Sequence, residues 1–403
     1  MDPINSQETM RFTSKIIPSV SGNLGIIELN NPKALNALTL DMVFALQDVY
    51  TEWHKAPSIK AILVKGSKDT KRPSFCAGGD VKQIYTAALH QKQQQQQQPQ
   101  QQQPQQDEPS LTSVFFREEY KVNYDIAKYK TPPQISLWDG LVMGGGVGIS
   151  IHGKYRVATQ HTSFAMPETA IGLFPDIGSM YWMPRMLKGG LPTYMALTGA
   201  TMGASDLLYT GLATHYIASE RLGALQTALI EATKHLKETD LTKDVVAPVL
   251  MSFHEMPPQN LRDSFVAIHN QVIDDVFAQA DRVEDIVEKL KALDSDFGRT
   301  TLRTIEKMSP TSLKVTLEGL KRGAAMNCIG KDLQMEFRMS QRFMLPGSDF
   351  YEGTRAMLVD KDHLPKWNPP TLEEVTEDMV QAYFEPLGES EWVIPVQLEM
   401  SKL

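Results

Sequence analysis

Two acidic residues and a run of three glycines mark the segment of this chain most suited to chemistry. Gly144-Gly145-Gly146 follows an apolar, strand-like run, residues 134–138, and precedes an apolar stretch of helical length. Glu168 and Asp176 come next, eight positions apart. Carboxyl groups act as nucleophiles, acids or bases, and the unpaired N–H groups that begin a helix can stabilise an oxyanion. The pattern is typical of an acyl-transfer site, although a tight strand–helix turn explains the glycines equally well.

A second segment repeats the order of strand, glycine turn and helix start. The apolar residues 74–77 lead into Gly78 and Gly79, and Asp80 precedes a helical pattern. Two such turns can present two backbone N–H donors to one carbonyl oxygen. Cys76 lies within the apolar run, so we predict a buried small side chain there and not a nucleophile.

The composition predicts a soluble globular protein without a general affinity for nucleic acid or anionic membranes. The 403 residues are 42% hydrophobic and 22% charged, with a net charge of −8. The two cysteines, Cys76 and Cys328, have neither disulfide nor metal-ligand spacing, and we expect no metal site. The most apolar window, residues 135–151, contains Asp139 and five glycines, so no membrane span is expected.

Strand and helix patterns divide the chain in two. Residues 1–220 contain strand patterns at 24–30, 59–65, 134–138 and 155–158, together with helical patterns at 42–54 and 114–130. Residues 221–403 are almost wholly helical in pattern. We therefore predict an α/β core followed by a helical C-terminal region. Residues 90–106 are glutamine with interspersed proline, which predicts a disordered insert within the core.

The chain ends in Ser401-Lys402-Leu403, a tripeptide that is read as a peroxisomal address at a free C-terminus. The N-terminus has no apolar signal segment, and Asp2 and Glu8 count against a mitochondrial presequence. These features predict a peroxisomal location, with the peroxisomal import receptor as a partner.

Several motifs resemble the crotonase (enoyl-CoA hydratase/isomerase) superfamily. They are PKALNAL at 32–38, FCAGGD at 75–80, GGG at 144–146 and MPE at 166–168. Four runs are similar to its 3-hydroxyisobutyryl-CoA hydrolase branch: FFREEY at 115–120, MGGGVG at 143–148, FAMPETAIGLFPD at 164–176 and DFYEGTRAMLVDKDHLPKW at 349–367. The last run lies outside the common crotonase core, so this resemblance extends nearly the full length of the chain.

The resemblance implies a crotonase-like spiral of ββα units with a helical C-terminal region, which can mediate homo-oligomer formation. It also implies an acyl-CoA substrate and no cofactor, since coenzyme A is part of that substrate. The oxyanion donors would be the N–H groups of Gly79 and Gly145. The turn at residues 32–35 would contact the nucleotide part of coenzyme A. The residues expected to bind substrate there are Lys33, Ala34 and Leu35, together with Ala77 of the FCAGGD motif.

One departure bears on the reaction. Hydratases of the superfamily carry a glutamate two positions after the glycine triplet, where this chain has Gly148. The hydrolase branch instead matches at Glu119, Glu168 and Asp176. By this resemblance Glu168 attacks the thioester or acts as a general base, while Asp176 and Glu119 act as acid/base groups or hold the substrate hydroxyl.

The expected function is therefore hydrolysis of a short, branched 3-hydroxyacyl-CoA, as in valine breakdown. Two alternatives remain open at this point. One is an enoyl-CoA hydratase or isomerase of peroxisomal fatty-acid oxidation, which Gly148 argues against. The other is a non-catalytic CoA-binding protein, which the complete set of acids argues against.

Overall fold

The computed structural model describes residues 13–87, 89, 110–237, 239 and 244–394. The predicted glutamine-rich insert and the C-terminal tripeptide lie outside these ranges. The chain forms two compact units, each assembled from three segments. Unit 1 comprises residues 1–79, 121–162 and 213–258, and unit 2 comprises 80–120, 163–212 and 259–403. The predicted division at residue 220 stays a prediction about domain organisation.

The strands confirm the α/β class. They are β1 (Ile16–Ser21), β2 (Leu24–Leu29), β3 (Ala61–Gly66), β4 (Ser74–Cys76), β5 (Gln134–Trp138), β6 (Leu141–Met143), β7 (Tyr155–Ala158), β8 (Ser163–Ala165) and β9 (His215–Tyr216). In unit 1, six of them form a sheet in the order β1-β2-β3-β5-β7-β9. Within this sheet the β1–β2 pair is antiparallel and the other pairs are parallel. Strand β4 pairs with β6 outside this sheet. Strands β5 and β7 are buried along their whole length, as parallel strands covered on both faces should be.

The helices are α1 (Leu40–Lys55), α2 (Leu111–Lys128), α3 (Gly145–Ile151), α4 (Ser179–Met186), α5 (Leu191–Thr198), α6 (Ala204–Thr210), α7 (Leu222–Lys234), α8 (Val246–Phe253), α9 (Phe265–Phe277), α10 (Val283–Ala292), α11 (Asp296–Ile305), α12 (Pro310–Ala325), α13 (Ile329–Phe343), α14 (Asp349–Thr354) and α15 (Glu377–Ala382). Residues 81–87 are also helical. None of the helices in the described ranges is long and apolar enough to cross a membrane.

The core of unit 1 follows from helical spacing. Leu222, Leu225 and Leu229 recur on one face of α7 and pack against strand residues such as Leu63 and Ile135. The predicted strands at 24–30, 59–65, 134–138 and 155–158 lie within a few residues of β2, β3, β5 and β7, and the predicted helices at 42–54 and 114–130 lie within a few residues of α1 and α2. The sequence missed the short strands β6, β8 and β9. It also missed β1, because only one of the six residues of that strand is buried and its apolar pattern is weak.

Unit 2 holds Glu168 in a short 3-10 helix, Glu168–Ile171, that Gly172 ends with a left-handed φ of 69°. This turn lies against α14. A Cβ on Gly172 would be 2.3 Å from the carbonyl of Asp349, and one on Gly353 would be 2.3 Å from that of Ile171. Only glycine permits such close backbone contact, so the position of Glu168 depends on the C-terminal segment.

Hydrogen bonds reinforce the same contact. The Ser309 N–H donates to the Thr169 carbonyl at 3.2 Å, and the Ser309 hydroxyl donates to Asp349 at 2.6 Å. Asp349 also accepts from the Asn368 N–H at 2.8 Å. Ser309 is in addition the N-cap of α12, with Pro310 in the first turn. The turn that carries Glu168 is thus fixed by two separate C-terminal segments.

We expect Gly172→Ala to destabilise the protein more than Gly211→Ala. Both glycines end helices with positive φ, 69° and 79°, but a Cβ on Gly211 meets no atom within 4 Å. Gly211→Ala should therefore lose about 1 kcal/mol from backbone strain alone, and Gly172→Ala about 2–4 kcal/mol, because strain and overpacking add. Urea unfolding of both variants measures the difference. Equal losses would show that the contact with Asp349 does not constrain the turn.

Candidate active site

The two predicted glycine turns lie side by side in unit 1. Gly78 has a φ of 102°, and Gly144 has a φ of 44° before the first turn of α3. A Cβ on Gly78 would be 3.2 Å from the Met143 carbonyl oxygen and 3.7 Å from the Gly145 nitrogen. The Gly145 N–H is the first of α3 and has no acceptor within the helix. The structure therefore brings the segments of both predicted oxyanion donors, Gly79 and Gly145, together.

The predicted nucleotide-binding turn, residues 32–38, is hydrogen-bonded to the segment that contains Gly78. The Leu38 N–H donates to the Gly78 carbonyl at 2.8 Å, and the Ala77 N–H donates to the Leu35 carbonyl at 3.1 Å. Leu35 adopts a left-handed φ of 54° at the end of the Pro32–Ala34 3-10 helix. The Lys33 side chain is exposed. Lys33, Ala34, Leu35 and Ala77 are thus neighbours, as a shared substrate surface requires.

The three predicted acids all lie in unit 2 and are buried. Glu119, Glu168 and Asp176 are 3%, 7% and 5% exposed. Glu119 lies on α2, Glu168 begins its 3-10 helix, and Asp176 precedes α4. The neighbouring Glu118 is only half-buried and pairs with Arg117 at 2.9 Å. The structure therefore turns Glu119 inward and leaves Glu118 nearer the surface.

Burial raises the pKa of all three carboxyl groups, and repulsion from a neighbouring carboxylate raises the pKa of two of them. Burial raises the pKa of Glu119 and of Glu168 well above the ordinary value, and the charge of Asp176 raises both further. Burial also raises the pKa of Asp176, to about 7, against the opposing effect of a hydrogen bond from Tyr120. These groups interact strongly, so they titrate as a set. A set of carboxyl groups with raised pKa values can exchange protons near neutral pH.

Tyr120 is the site residue that the sequence did not reveal. Its hydroxyl donates to Asp176 Oδ2 at 2.9 Å. Burial and the nearby carboxylates raise the pKa of Tyr120 well above its usual value, so the hydroxyl keeps its proton. Adjacent helical residues point in directions about 100° apart, so the sequence alone did not indicate that Glu119 and Tyr120 serve one site.

Within the set of three acids, Glu119 Oε1 and Glu168 Oε2 have no hydrogen-bond partner among the residues that the structure describes. Folded proteins rarely leave buried polar atoms unpaired, and exceptions concentrate where a ligand or a reaction uses them. These oxygens are therefore available to a substrate hydroxyl, a water molecule or a reacting carbonyl.

Other candidate groups have structural roles. Cys76 is fully buried, as predicted, and His161 pairs with Asp139 at 3.0 Å. Gly148 lies buried within α3 and contributes no acid. Within the described ranges, no group of three or more His, Cys, Asp and Glu side chains is arranged to hold a metal ion.

Comparison with known proteins gives consistent matches over most of the chain. The model of the family described as enoyl-CoA hydratase/isomerase matches residues 24–384. A Xenopus tropicalis protein named 3-hydroxyisobutyryl-CoA hydrolase, mitochondrial, is 42% identical over 92% of this chain and 89% of its own length. The Homo sapiens protein of the same name is 40% identical over 94% of this chain and 90% of its own.

Solved structures share the fold. A carnitinyl-CoA dehydratase from Mycobacterium thermoresistibile matches with a TM-score of 0.79 at 34% identity, over 94% of this chain and 98% of that one. An enoyl-CoA hydratase from Rhodobacter sphaeroides matches with a TM-score of 0.78 at 28% identity, over 94% and 100% of the two chains. These likenesses confirm the crotonase-like fold.

The names of the relatives correct one prediction. The frog and human proteins are both mitochondrial, so the peroxisomal location predicted from Ser401-Lys402-Leu403 is wrong, and the import receptor loses its support as a partner. The prediction failed because the signal consists of three residues. A terminal tripeptide is a short motif that arises by chance, and it lies outside the described residues.

We expect Asp176→Asn to stabilise the protein at neutral and higher pH. The folded-state pKa of Asp176, about 7, exceeds its ordinary 3.8, so the folded protein binds the proton more tightly. The stability contributed by that proton is fully present at low pH and is lost as the pH rises through about 7. Asparagine removes the charge and keeps an acceptor for Tyr120. The variant should be more stable than wild type by roughly 1–4 kcal/mol at about pH 8, and the gain should vanish towards pH 4.

Urea unfolding at a series of pH values measures this effect. Asp69→Asn, at an exposed position, is the matched control and should change stability little at any pH. A wild-type protein more stable than Asp176→Asn at pH 8 would contradict the expected effect of burial.

Proposed function

The chain belongs to the enoyl-CoA hydratase/isomerase family, and from this premise we propose that it hydrolyses the thioester of 3-hydroxyisobutyryl-CoA. The products are the free acid and coenzyme A. The observation that carries the proposal is the set of three buried carboxyl groups, Glu119, Glu168 and Asp176. The names of relatives that match nearly the whole chain at about 40% identity support the same reaction.

Hydration of a double bond is the weaker candidate. In the hydratases that this chain resembles, two glutamates handle water together, and the second would stand at position 148. Gly148 has no side chain that could donate or accept a proton. The solved structures named as a hydratase and a dehydratase share the fold with this chain, but one fold supports several reactions and the site decides among them.

Glu168 is the group we propose for attack. As a nucleophile, its carboxylate oxygen adds to the thioester carbonyl carbon and the C–S bond breaks, which gives a mixed anhydride and the thiolate of coenzyme A. Water then hydrolyses the anhydride and regenerates the carboxylate. As a general base, Glu168 would instead remove a proton from a water molecule that attacks the carbonyl directly. Both routes use the ionised form and the unpaired Oε2 atom of Glu168.

Asp176 is the group we propose for proton transfer. A pKa of about 7 allows it to give a proton to the departing thiolate and to take one from the attacking water. Tyr120 holds the Asp176 carboxyl by its hydrogen bond. The unpaired Oε1 of Glu119 is suited to the 3-hydroxyl group of the substrate. This assignment gives one task each to Glu119, Tyr120, Glu168 and Asp176.

The N–H groups of Gly79 and Gly145 are proposed to stabilise the charge that develops on the carbonyl oxygen. Removing one such donor typically slows a reaction about a hundredfold or more. Ala34, Leu35 and Ala77 would contact the coenzyme A moiety, and Lys33, which is exposed, would meet its phosphates. Coenzyme A enters as part of the substrate, and the proposed reaction needs no cofactor. Since the relatives are mitochondrial, we extend that location to this chain.

We expect Glu168→Gln to lower kcat for CoA release from 3-hydroxyisobutyryl-CoA by roughly a thousandfold or more, because the amide neither attacks nor accepts a proton. A thiol reagent measures the release. Retained turnover in the variant would remove Glu168 from the mechanism. If the wild-type protein released no CoA but hydrated crotonyl-CoA, a hydratase function would replace the proposed hydrolase function.

The adjacent glutamates of α2 provide a matched pair. Glu119→Gln should lower kcat/KM by roughly tenfold to a hundredfold, since it weakens contact with the substrate hydroxyl and alters the charge of the acid set. Glu118→Gln weakens a half-buried ion pair with Arg117 and should change kcat/KM little. The same steady-state assay compares both variants. The reverse order of effects would mean that Glu118, and not Glu119, belongs to the site.

A further inference from the structure

A second pair of buried carboxyl groups lies in unit 2, apart from the three acids proposed for the reaction. Asp332 and Glu336 are both 0% exposed and lie four positions apart on α13, which places them on one face of the helix. A carboxyl group in a protein core is unfavourable unless other groups hydrogen-bond to it. The hydrogen bonds that Asp332 and Glu336 accept indicate what they do in the structure.

Both oxygens of Glu336 bind the backbone just after Asp176. Oε2 accepts a hydrogen bond from the Gly178 N–H at 2.6 Å, and Oε1 accepts one from the Met180 N–H at 3.2 Å. Asp332 Oδ2 accepts from the Tyr181 N–H at 3.1 Å. These N–H groups begin α4, whose own N-cap residue, Gly178, has no side chain to cap it. Helix α13 therefore supplies the cap that the local sequence lacks.

The capped turn has an unfavourable backbone. Ile177 and Gly178 have left-handed φ values of 61° and 81°. Such a conformation is unusual for a β-branched residue and persists only where surrounding contacts impose it. The turn sets the direction of the Asp176 carboxyl, whose Oδ2 meets the Tyr120 hydroxyl at 2.9 Å.

We propose that Glu336, supported by Asp332, is a positioning residue for Asp176: it holds the Ile177–Met180 turn in the conformation that directs the Asp176 carboxyl at Tyr120. The role rests on the proposed function, because it assigns Asp176 to proton transfer. Glu336 touches no reacting atom and acts through the backbone N–H groups that it binds.

The charge state of the pair suits this role. Asp332 Oδ1 is buried and has no hydrogen-bond partner among the described residues, so hydrogen bonding offsets the burial of this carboxyl group only in part. Burial raises the pKa of Glu336 well above its ordinary value, and the charges of Asp332 and Asp176 raise it further. Burial also raises the pKa of Asp332, to about 7, against the lowering effects of Glu336, the Tyr181 N–H and Arg185. Burial therefore opposes the ionised form of each group, and the hydrogen bonds from the turn partly offset that effect.

The test compares variants of α13 in the full-length protein. Glu336→Met keeps a long side chain but removes both acceptors, Glu336→Gln keeps one carbonyl oxygen for Gly178, and Leu333→Ala removes buried packing from the same helix. We measure thermal unfolding, hydrogen–deuterium exchange of residues 176–181 without substrate, and the steady-state constants for CoA release.

For Glu336→Met we expect faster exchange of the Gly178 and Met180 amides and a fall in kcat of roughly tenfold to a hundredfold, with KM nearly unchanged, because the acid is misplaced while binding persists. Glu336→Gln should restore most of the kcat. Leu333→Ala should lower the melting temperature without a comparable loss of kcat, which separates positioning from general destabilisation.

Three results would overturn the positioning role: full kcat in Glu336→Met despite faster exchange, unchanged exchange in that variant, or an equal loss of kcat in Leu333→Ala at a matched melting temperature. A wild-type protein that released no CoA would overturn the proposed function and, with it, this role. The exchange data are collected without substrate, so the two failures remain distinguishable.

Discussion

Burial of carboxyl groups is the constraint on which unit 2 depends. Glu119, Glu168 and Asp176 are removed from water without an arginine or lysine among their hydrogen-bond partners in the described ranges. A buried charge without compensation is strongly unfavourable, so such groups retain protons or receive hydrogen bonds. Among the three acids, only Asp176 receives a hydrogen bond from the Tyr120 hydroxyl in the described part of the chain. The fold therefore maintains acids that neutral side chains would replace at a gain in stability, which is the expected signature of a site selected for reaction.

Maintaining that arrangement requires backbone that cannot move. The turn with Glu168 is held against α14 through Gly172 and Gly353, where no side chain fits. The turn after Asp176 is held by hydrogen bonds to Glu336. Both supports come from residues far along the chain, in the helical C-terminal part. That part consequently belongs to the structure of the site, which explains why a run as distant as residues 349–367 shares the resemblance to the hydrolases.

The glycine turns, Glu168 and Asp176 each leave a local signal in the sequence, whereas Glu119 was predicted through the resemblance to the hydrolase branch. A glycine triplet between strand and helix, or an acid after Pro167, stands out in the sequence itself. Tyr120 and Glu336 left no such signal, since their partners lie 56 and 158 positions away. Strand β1 was missed for a related reason: its mostly exposed residues show little apolar pattern, and its pairing with β2 supplies its stability. Local chemistry was thus predictable, whereas long-range hydrogen bonding was not.

The backbone and the side chains of a crotonase-like site contribute differently to the reaction, which explains how one fold can support both hydration and hydrolysis. Backbone N–H donors such as those proposed at Gly79 and Gly145 suit any reaction that places negative charge on a thioester oxygen, so they do not discriminate hydrolysis from hydration. Side chains discriminate, because only they carry protons or attack carbon. At position 148 the chain offers none, whereas at 119, 168 and 176 it offers three acids. Close structural likeness to proteins named as a hydratase and a dehydratase is therefore compatible with hydrolase chemistry.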